Sequence, residues 1–349
     1  MAASSAHAQT PPVAGRIERL DPELDALIDA DAPVELALDG YSWCEGPVWV
    51  GGPDGYLLSS DVRSNAIKRW SQKDGGSVWL TPSGIEGTPD PGINEVGTNG
   101  LCLGRGGIIF AGSGGRTVGV IDLKTKKKTV LCSHFEGKRF NSPNDVVLAK
   151  DGSIYFTDPC FGLIGGVNSP LREMDYQGVF RIAPDNTVSL VNGNLSPNGI
   201  GLSPDGRTLY VTDKYDRDDK GRWFALTLDE HGEVADKREF IDMQHGPGDG
   251  DGLRVDTRGY IWATSGDGVS IYTPQGKPIG IIRASDPLRN CEIGADSVHR
   301  RAPSPTEGPG QGEEAALAGV AEAAKHGLSD IDLCVHALPL SRALIKDGA

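Results

Sequence analysis

Asn141-Ser142-Pro143-Asn144-Asp145-Val146-Val147-Leu148 is a polar opening that runs into an apolar strand; Asp151-Gly152 turns the chain, and Ser153-Ile154-Tyr155-Phe156-Thr157-Asp158 follows as a second strand. An Asp-Gly pair between two β-rich runs is a strong local hairpin signal, because glycine takes the positive φ that such a turn imposes. The same grammar recurs in both directions along the chain. Upstream it opens at Glu45-Gly46-Pro47-Val48-Trp49 and at Thr98-Asn99-Gly100-Leu101; downstream it opens at Pro197-Asn198-Gly199-Ile200 and at Gly250-Asp251-Gly252-Leu253. The polar residues Glu45, Asn99, Asn144, Asn198 and Asp251 are 54, 45, 54 and 53 positions apart. Turns at Asp54-Gly55, Gly106-Gly107, Asp205-Gly206 and Arg258-Gly259 feed equivalent second strands, and Asn65–Trp70 and Gly178–Ile182 read as third strands. Sheets of about four strands repeating every ~50 residues are the signature of a β-propeller, so the expected fold is all-β.

Composition agrees. Of 349 residues, 48 are Gly and 23 are Pro, about one residue in five, which suits a chain that turns often and rules out long helices as the main theme. A net charge of −14, from 34 basic against 48 acidic residues, argues against duplex nucleic acid as a partner. No run approaches 18 apolar residues, so no membrane-spanning helix is expected. The six cysteines are scattered without a CxxC pair and read as small buried hydrophobes. Residues 1–12, MAASSAHAQTPP, resemble the small-residue end of a clipped export signal. That reading places the protein in the periplasm or outside the cell; without it the location is cytoplasmic.

A propeller carries the first strand of each blade nearest its axis, so equivalent residues of different blades converge there. Glu45, Asn99, Asn144, Asn198 and Asp251 are therefore expected to ring one mouth of the channel. Two carboxylates and three amides make an all-oxygen set suited to a hard divalent cation such as Ca²⁺, and no His or Cys recurs there to favour zinc or copper. Other chemistries fit poorly: there is no GxSxG elbow and no phosphate-binding loop. Asp216–Gly221 begins like a calcium-binding helix-loop-helix motif, but Lys220 and Thr227 break the ligand pattern, leaving a solvated loop.

At these residues the chain resembles the gluconolactonase/regucalcin (senescence marker protein) family of six-bladed propellers, most closely its bacterial gluconolactonase-like branch. The openings above carry the likeness, together with Tyr155-Phe156-Thr157-Asp158-Pro159 and Phe161-Gly162, over residues 35–292 or so. The resemblance implies a hydrolase that opens sugar lactones, a small-molecule substrate, and one divalent cation, Ca²⁺ ahead of Zn²⁺, Mg²⁺ or Mn²⁺. It implies that Glu45, Asn144, Asn198 and Asp251 hold the metal, that Asn99 meets the substrate, and that Asp251 is the general base. A related branch cleaves organophosphates. Relatives often carry an Arg in the stretch before Asn99, whereas Pro91–Val96 has none.

The chain divides on this reading into an N-terminal tail (1–33), a propeller (34–296) and a divergent tail (297–349). A strand around Val34–Leu38 is expected to join the sixth blade. After Arg289-Asn290-Cys291, where relatives continue into a last hairpin, no alternating pattern appears from Ser297 to Gly312, and Glu313–Lys325 reads as a short Ala-rich helix foreign to the family. The sixth blade is thus expected to be incomplete. Two competing readings follow: a non-catalytic propeller that presents a binding face, and a family member inactivated by its altered C-terminus. The oligomeric state is not legible in the sequence.

Overall fold

A computed structural model describes residues 13–52, 54–214, 221–241, 250–265, 268–284 and 288–294, and the backbone of 333–337. The chain begins with β1 (Val13–Arg19), a 3₁₀ turn (Pro22–Ala26) and β2 (Val34–Glu35). Five four-stranded blades follow. Blade I is β3 (Cys44–Val50), β4 (Tyr56–Asp61), β5 (Ala66–Ser71) and β6 (Gly75–Leu80). Blade II is β7 (Leu101–Gly104), β8 (Gly107–Gly112), β9 (Thr117–Asp122) and β10 (Lys128–Cys132). A small hairpin, β11 (His134–Phe135) and β12 (Lys138–Arg139), leads into blade III. That blade is β13 (Val146–Leu148), β14 (Ile154–Asp158), β15 (Gly178–Ile182) and β16 (Val188–Asn192). Blade IV is β17 (Pro197–Leu202), β18 (Thr208–Asp213), β19 (Arg222–Leu228) and β20 (Val234–Ile241). Blade V is β21 (Leu253–Val255), β22 (Ile261–Ser265), β23 (Gly268–Tyr272) and β24 (Pro278–Ala284). Last come β25 (Leu288–Ile293) and β26 (Leu333–Ala337), paired in parallel.

Within each blade the strands pair antiparallel in chain order, as the Asp-Gly and Gly-Gly turns predict. Successive first strands touch: β3 with β7, β7 with β13, β13 with β17 and β17 with β21, while β25 lies against both β21 and β3. Apolar clusters fill the seams between neighbouring sheets. Phe140, Phe156 and Phe180 sit between blades II and III, and Tyr210, Trp223 and Leu253 between IV and V. Burial on both faces explains why the second strands read as continuous apolar runs rather than as alternating ones.

Three expectations change. Residues 13–33 are built into the fold: β1 pairs with β24 along Gly15–Arg19, and Leu24, Leu27 and Ile28 are buried against Trp262 and Ile282. Backbone pairing of β1 covers the otherwise open edge of blade V, and the 3₁₀ turn buries Leu24 against the same sheet. The Val34 strand pairs with β1 at that same sheet's outer edge. Finally, Cys44 is disulfide-bonded, while Cys102, Cys132, Cys160 and Cys291 are free thiols, buried or half-buried as expected. The helix expected over Glu313–Lys325 and the loop at 216–220 lie outside the described residues.

Candidate functional site at the channel mouth

Each predicted ring residue stands at or just before the first strand of its blade, and all five side chains are buried: Glu45, Asn99, Asn144, Asn198 and Asp251. Four of the five are followed by glycine, and close approach is the reason. A Cβ on Gly46, whose φ is +47°, would run into the Asn99 carbonyl oxygen, and one on Gly199 would run into that of Asp251. Inner strands that converge on an axis leave no room for a side chain there.

A second device, missed in the sequence, fixes the ring from outside. Near the end of each second strand a hydroxyl reaches across to the next blade. Ser60 Oγ donates to the Asn99 carbonyl, Thr157 Oγ1 to that of Asn198 and Thr212 Oγ1 to that of Asp251, each at 2.7 Å. Ser113 Oγ donates to the Pro143 carbonyl, next to Asn144, at 2.9 Å. Thr264 Oγ1 donates at 2.9 Å to the Arg289 carbonyl, which sets Arg289 of β25 at the next position of the series. The repeated hydroxyls in Ser59-Ser60-Asp61, Thr157-Asp158, Thr212-Asp213 and Thr264-Ser265 were the available signal.

The side chains meet as predicted for blades IV and V, where Asn198 Nδ2 donates to Asp251 Oδ1 at 2.7 Å. Glu45 accepts from Asn290 Nδ2 at 3.3 Å. Asn99 turns its amide N–H to Glu95 Oε2 at 3.4 Å and leaves its own Oδ1 buried without a partner. Asn144 makes no side-chain hydrogen bond among the described residues, although its backbone is held by Thr157 and Gly100. Glu95 and Asn290 were not singled out from the sequence, because neither shares the repeat register.

Electrostatically the mouth is strained. Burial pushes the Glu45 carboxyl well above the usual carboxylate range, and the charges of Asp251, Glu95 and Asp145 push it further. Burial also raises Asp251, against the opposing pull of Lys214 and Arg289, and raises Glu95, against hydrogen bonds from Ser113 and Asn99. Among the described residues no three His, Cys, Asp or Glu side chains are gathered for a metal, so a cation here would draw on amide oxygens as well. The donor set fits a hard divalent ion, because crowded buried carboxylates gain from an opposite charge. A separate cavity of about 530 Å³ opens beside blade II, lined by Arg116, Lys128 and Arg139 among others, and none of the five ring residues lines it.

The region described as SMP-30/Gluconolactonase/LRE-like matches residues 43–297. The chain belongs to this family. A gluconolactonase of Zymomonas mobilis is 38% identical over 292 residues, 80% of this chain and 81% of its own length. A pentonolactonase of Haloferax volcanii is 25% identical, over 68% of this chain and 72% of its own. Among solved structures, a gluconolactonase from Xanthomonas campestris superposes with a TM-score of 0.71 at 26% identity, covering 83% of this chain and 92% of that one. The matched region, residues 43–297, takes in all five ring residues of the mouth.

Proposed function

We propose that this protein opens sugar lactones by hydrolysis, with a divalent cation, Ca²⁺ first, held at the channel mouth by Glu45, Asn144, Asn198 and Asp251. The observation that carries this reading is the convergence of those residues at one register, with Asn198 hydrogen-bonded to Asp251 and Glu45 within reach of Asp251's charge. When bound, the cation polarises the lactone carbonyl and offsets the charge that develops on its oxygen. Asp251 accepts the proton of the attacking water, although a carboxylate that also holds a cation is a weaker base than a free one. The Asn198 N–H orients that carboxylate. Asn99, anchored by Ser60 and Glu95, presents its unpartnered Oδ1 to a sugar hydroxyl.

We further propose six ring positions, the sixth occupied by β25 and incompletely built outside it. The contacts of β25 with β21 and β3 support this, as does the Thr264 hydroxyl on Arg289. Limited proteolysis that cuts early between Arg300 and Gly312 and leaves a resistant core is the expected result; a segment as resistant as the blades contradicts it. The activity itself is tested with a panel of aldonolactones, with and without chelator. Hydrolysis that stops on chelation and returns with Ca²⁺ is expected. Tight carbohydrate binding without turnover would favour the non-catalytic binding reading instead. The export reading, with a periplasmic or secreted protein, is tested by fractionating cells that express the full chain.

A further inference from the structure

The cavity beside blade II is walled by residues 83–86, which follow blade I, and by the turn that joins β8 to β9. A Cβ on Gly84 or on Gly114 would fall 2.3 Å from the Val96 carbonyl oxygen, so close packing on one peptide sets the two segments side by side. Arg116 closes the turn, and its counterpart in blade I is Asn65. Each precedes the third strand of its blade, and each takes a left-handed φ, +55° and +53°. Each also donates its backbone N–H to the carbonyl three residues before it, that of Ser113 or Val62. Asparagine is a common occupant of that conformation, and arginine is not. Asn65 uses both ends of its amide to hold the next segment: Nδ2 donates to the Ile85 carbonyl at 2.8 Å, and Oδ1 accepts from the Gly84 N–H at 2.7 Å. Arg116 does the equivalent with Nε alone, donating to the Phe140 and Asn141 carbonyls at 2.6 and 3.1 Å. The far edge of its guanidinium is left over. Arg116 is only 3% exposed and lines the cavity. Its Nη1 stands 3.9 Å from Glu173, and its Nη2 has no hydrogen-bond partner among the described residues.

A buried guanidinium with an unmet N–H calls for an acceptor, and the charges around it limit the kind. Arg116, Lys128 and Arg139 face Glu86, Asp90 and Glu173, and Asp158, its carboxyl lifted by burial to about 7, acts on Arg116 from the interior. Lys128 is engaged by Glu86 at 3.3 Å and by the Gly84 carbonyl at 2.9 Å, and Arg139 Nη2 by the Gly115 carbonyl at 2.9 Å. Cations and carboxyls therefore balance, which leaves no surplus for a phosphate dianion or a polyanion. One unmet edge suits one carboxylate, whose two oxygens match the Nη pair. The rest of the wall is apolar, with Ile85, Ile93, Phe110 and Leu171. We propose that this cavity binds an organic monocarboxylate with an apolar body, its carboxylate on the Nη edge of Arg116 and its body against Phe110, Ile93 and Leu171. A volume of about 530 Å³ is within the range of small-molecule sites. None of this depends on the reaction at the mouth.

The test is calorimetry of the full chain with sodium phenylacetate, run once with chelator and once with Ca²⁺. Phenylacetate is expected to saturate one site alike in both buffers. Neutral phenylacetamide, which lacks the charge, and acetate, which lacks the body, are each expected to bind about tenfold more weakly or worse. Arg116→Gln should raise the phenylacetate Kd by about tenfold or more. Because Arg116 also holds two carbonyls, a second variant guards against loss of the fold. Val130 lines the cavity from β10 and is 54% exposed, so Val130→Glu adds a repelling charge without disturbing the core. It should raise the Kd about threefold or more, whereas Val78→Glu, the same change on the outer strand of blade I, should match the wild type. The proposal is overturned if the wild type shows no saturable phenylacetate binding, or binds phenylacetamide equally well. Tighter binding of inorganic phosphate overturns it too, as does binding that needs Ca²⁺ and so belongs to the mouth. A Kd unmoved in Val130→Glu and in folded Arg116→Gln has the same consequence. No lactone is turned over in any arm, so the outcome is separate from that of the lactonase reading.

Discussion

Two groups of buried charges share this channel, and the chain treats them in opposite ways. Deeper in, Arg254 crosses from blade V to Asp145 of blade III at 3.1 Å, to Glu292 of β25 at 3.3 Å and to the Leu101 carbonyl of blade II at 3.4 Å. Nearly every donor of its guanidinium is used, and its affinity for the proton rises accordingly. At the mouth, only one to three residues along the same strands, Glu45 and Asp251 have amide partners, and no ion pair within 4 Å is found for either among the described residues. A saturated ion pair ties four strands together. An unsaturated pair of acids stores electrostatic strain that a ligand can relieve, which is how a site differs from a strut.

The deeper cluster should show the larger effect on stability. Arg254→Met leaves Asp145 and Glu292 buried without their cation, and a loss of about 3–5 kcal/mol of unfolding free energy is expected. Adding Asp145→Asn should return part of it, because the uncompensated charge is the main cost. Chemical denaturation of the single and double variants checks this. A single variant within ~1 kcal/mol of wild type would show that Arg254 only fills space. At the mouth the larger effect falls on rate. Asp251→Asn should lower lactonase kcat by ~10²-fold or more. Near-full activity in that variant would move the proton transfer to another carboxylate, with Glu95 the first candidate on position.

The mouth was legible in the sequence and the strut was not, for a physical reason. Glu45, Asn99, Asn144, Asn198 and Asp251 repeat at blade intervals, and repetition turns weak local signals into convergence on an axis. Arg254, Glu95 and Asn290 occur once each, so nothing in the chain marks them. The blade hydroxyls sat in plain view as recurring Ser/Thr-Asp endings, yet a hydroxyl next to an aspartate reads as strand-end chemistry until the neighbouring blade is in place. The N-terminal segment failed for a different reason. Residues 13–33 lack the hairpin grammar of the repeats, and their partner, β24, lies more than 250 positions away. Pairing at that separation is decided by an open sheet edge, which no local pattern records.

If the mouth is strained by design, removing one charge should relieve it. Glu45→Gln is expected to raise the melting temperature of chelator-treated protein, by roughly 2 °C for each kcal/mol of repulsion and desolvation removed. It should also weaken Ca²⁺ binding markedly by calorimetry, so that saturating Ca²⁺ reverses the order of the two melting temperatures. Parallel curves with no crossing would mean that Glu45 is neither a source of strain nor a ligand.

The smallest effect tests whether strain at a buried carboxylate needs a ligand at all. Asp158, at the end of β14, is wholly buried and lies outside the ring. Burial lifts its carboxyl to about 7, although the backbone N–H groups of Asn141 and Ser142 and the charge of Arg116 oppose the lift. In the unfolded chain the same group ionises near 3.8. Between those values the folded protein binds a proton that the unfolded chain does not, so this group's contribution to stability declines as pH rises through that window and levels off above it. Asp158→Asn is uncharged at every pH, like the protonated acid, and should therefore escape the decline. Thermal melts of wild type and variant at pH 5 and pH 8 are expected to show the variant gaining on the wild type at the higher pH. A difference that is the same at both pH values would place the Asp158 carboxyl in its ordinary range, and with it weaken the claim that burial alone, without like-charge neighbours, perturbs acids in this propeller.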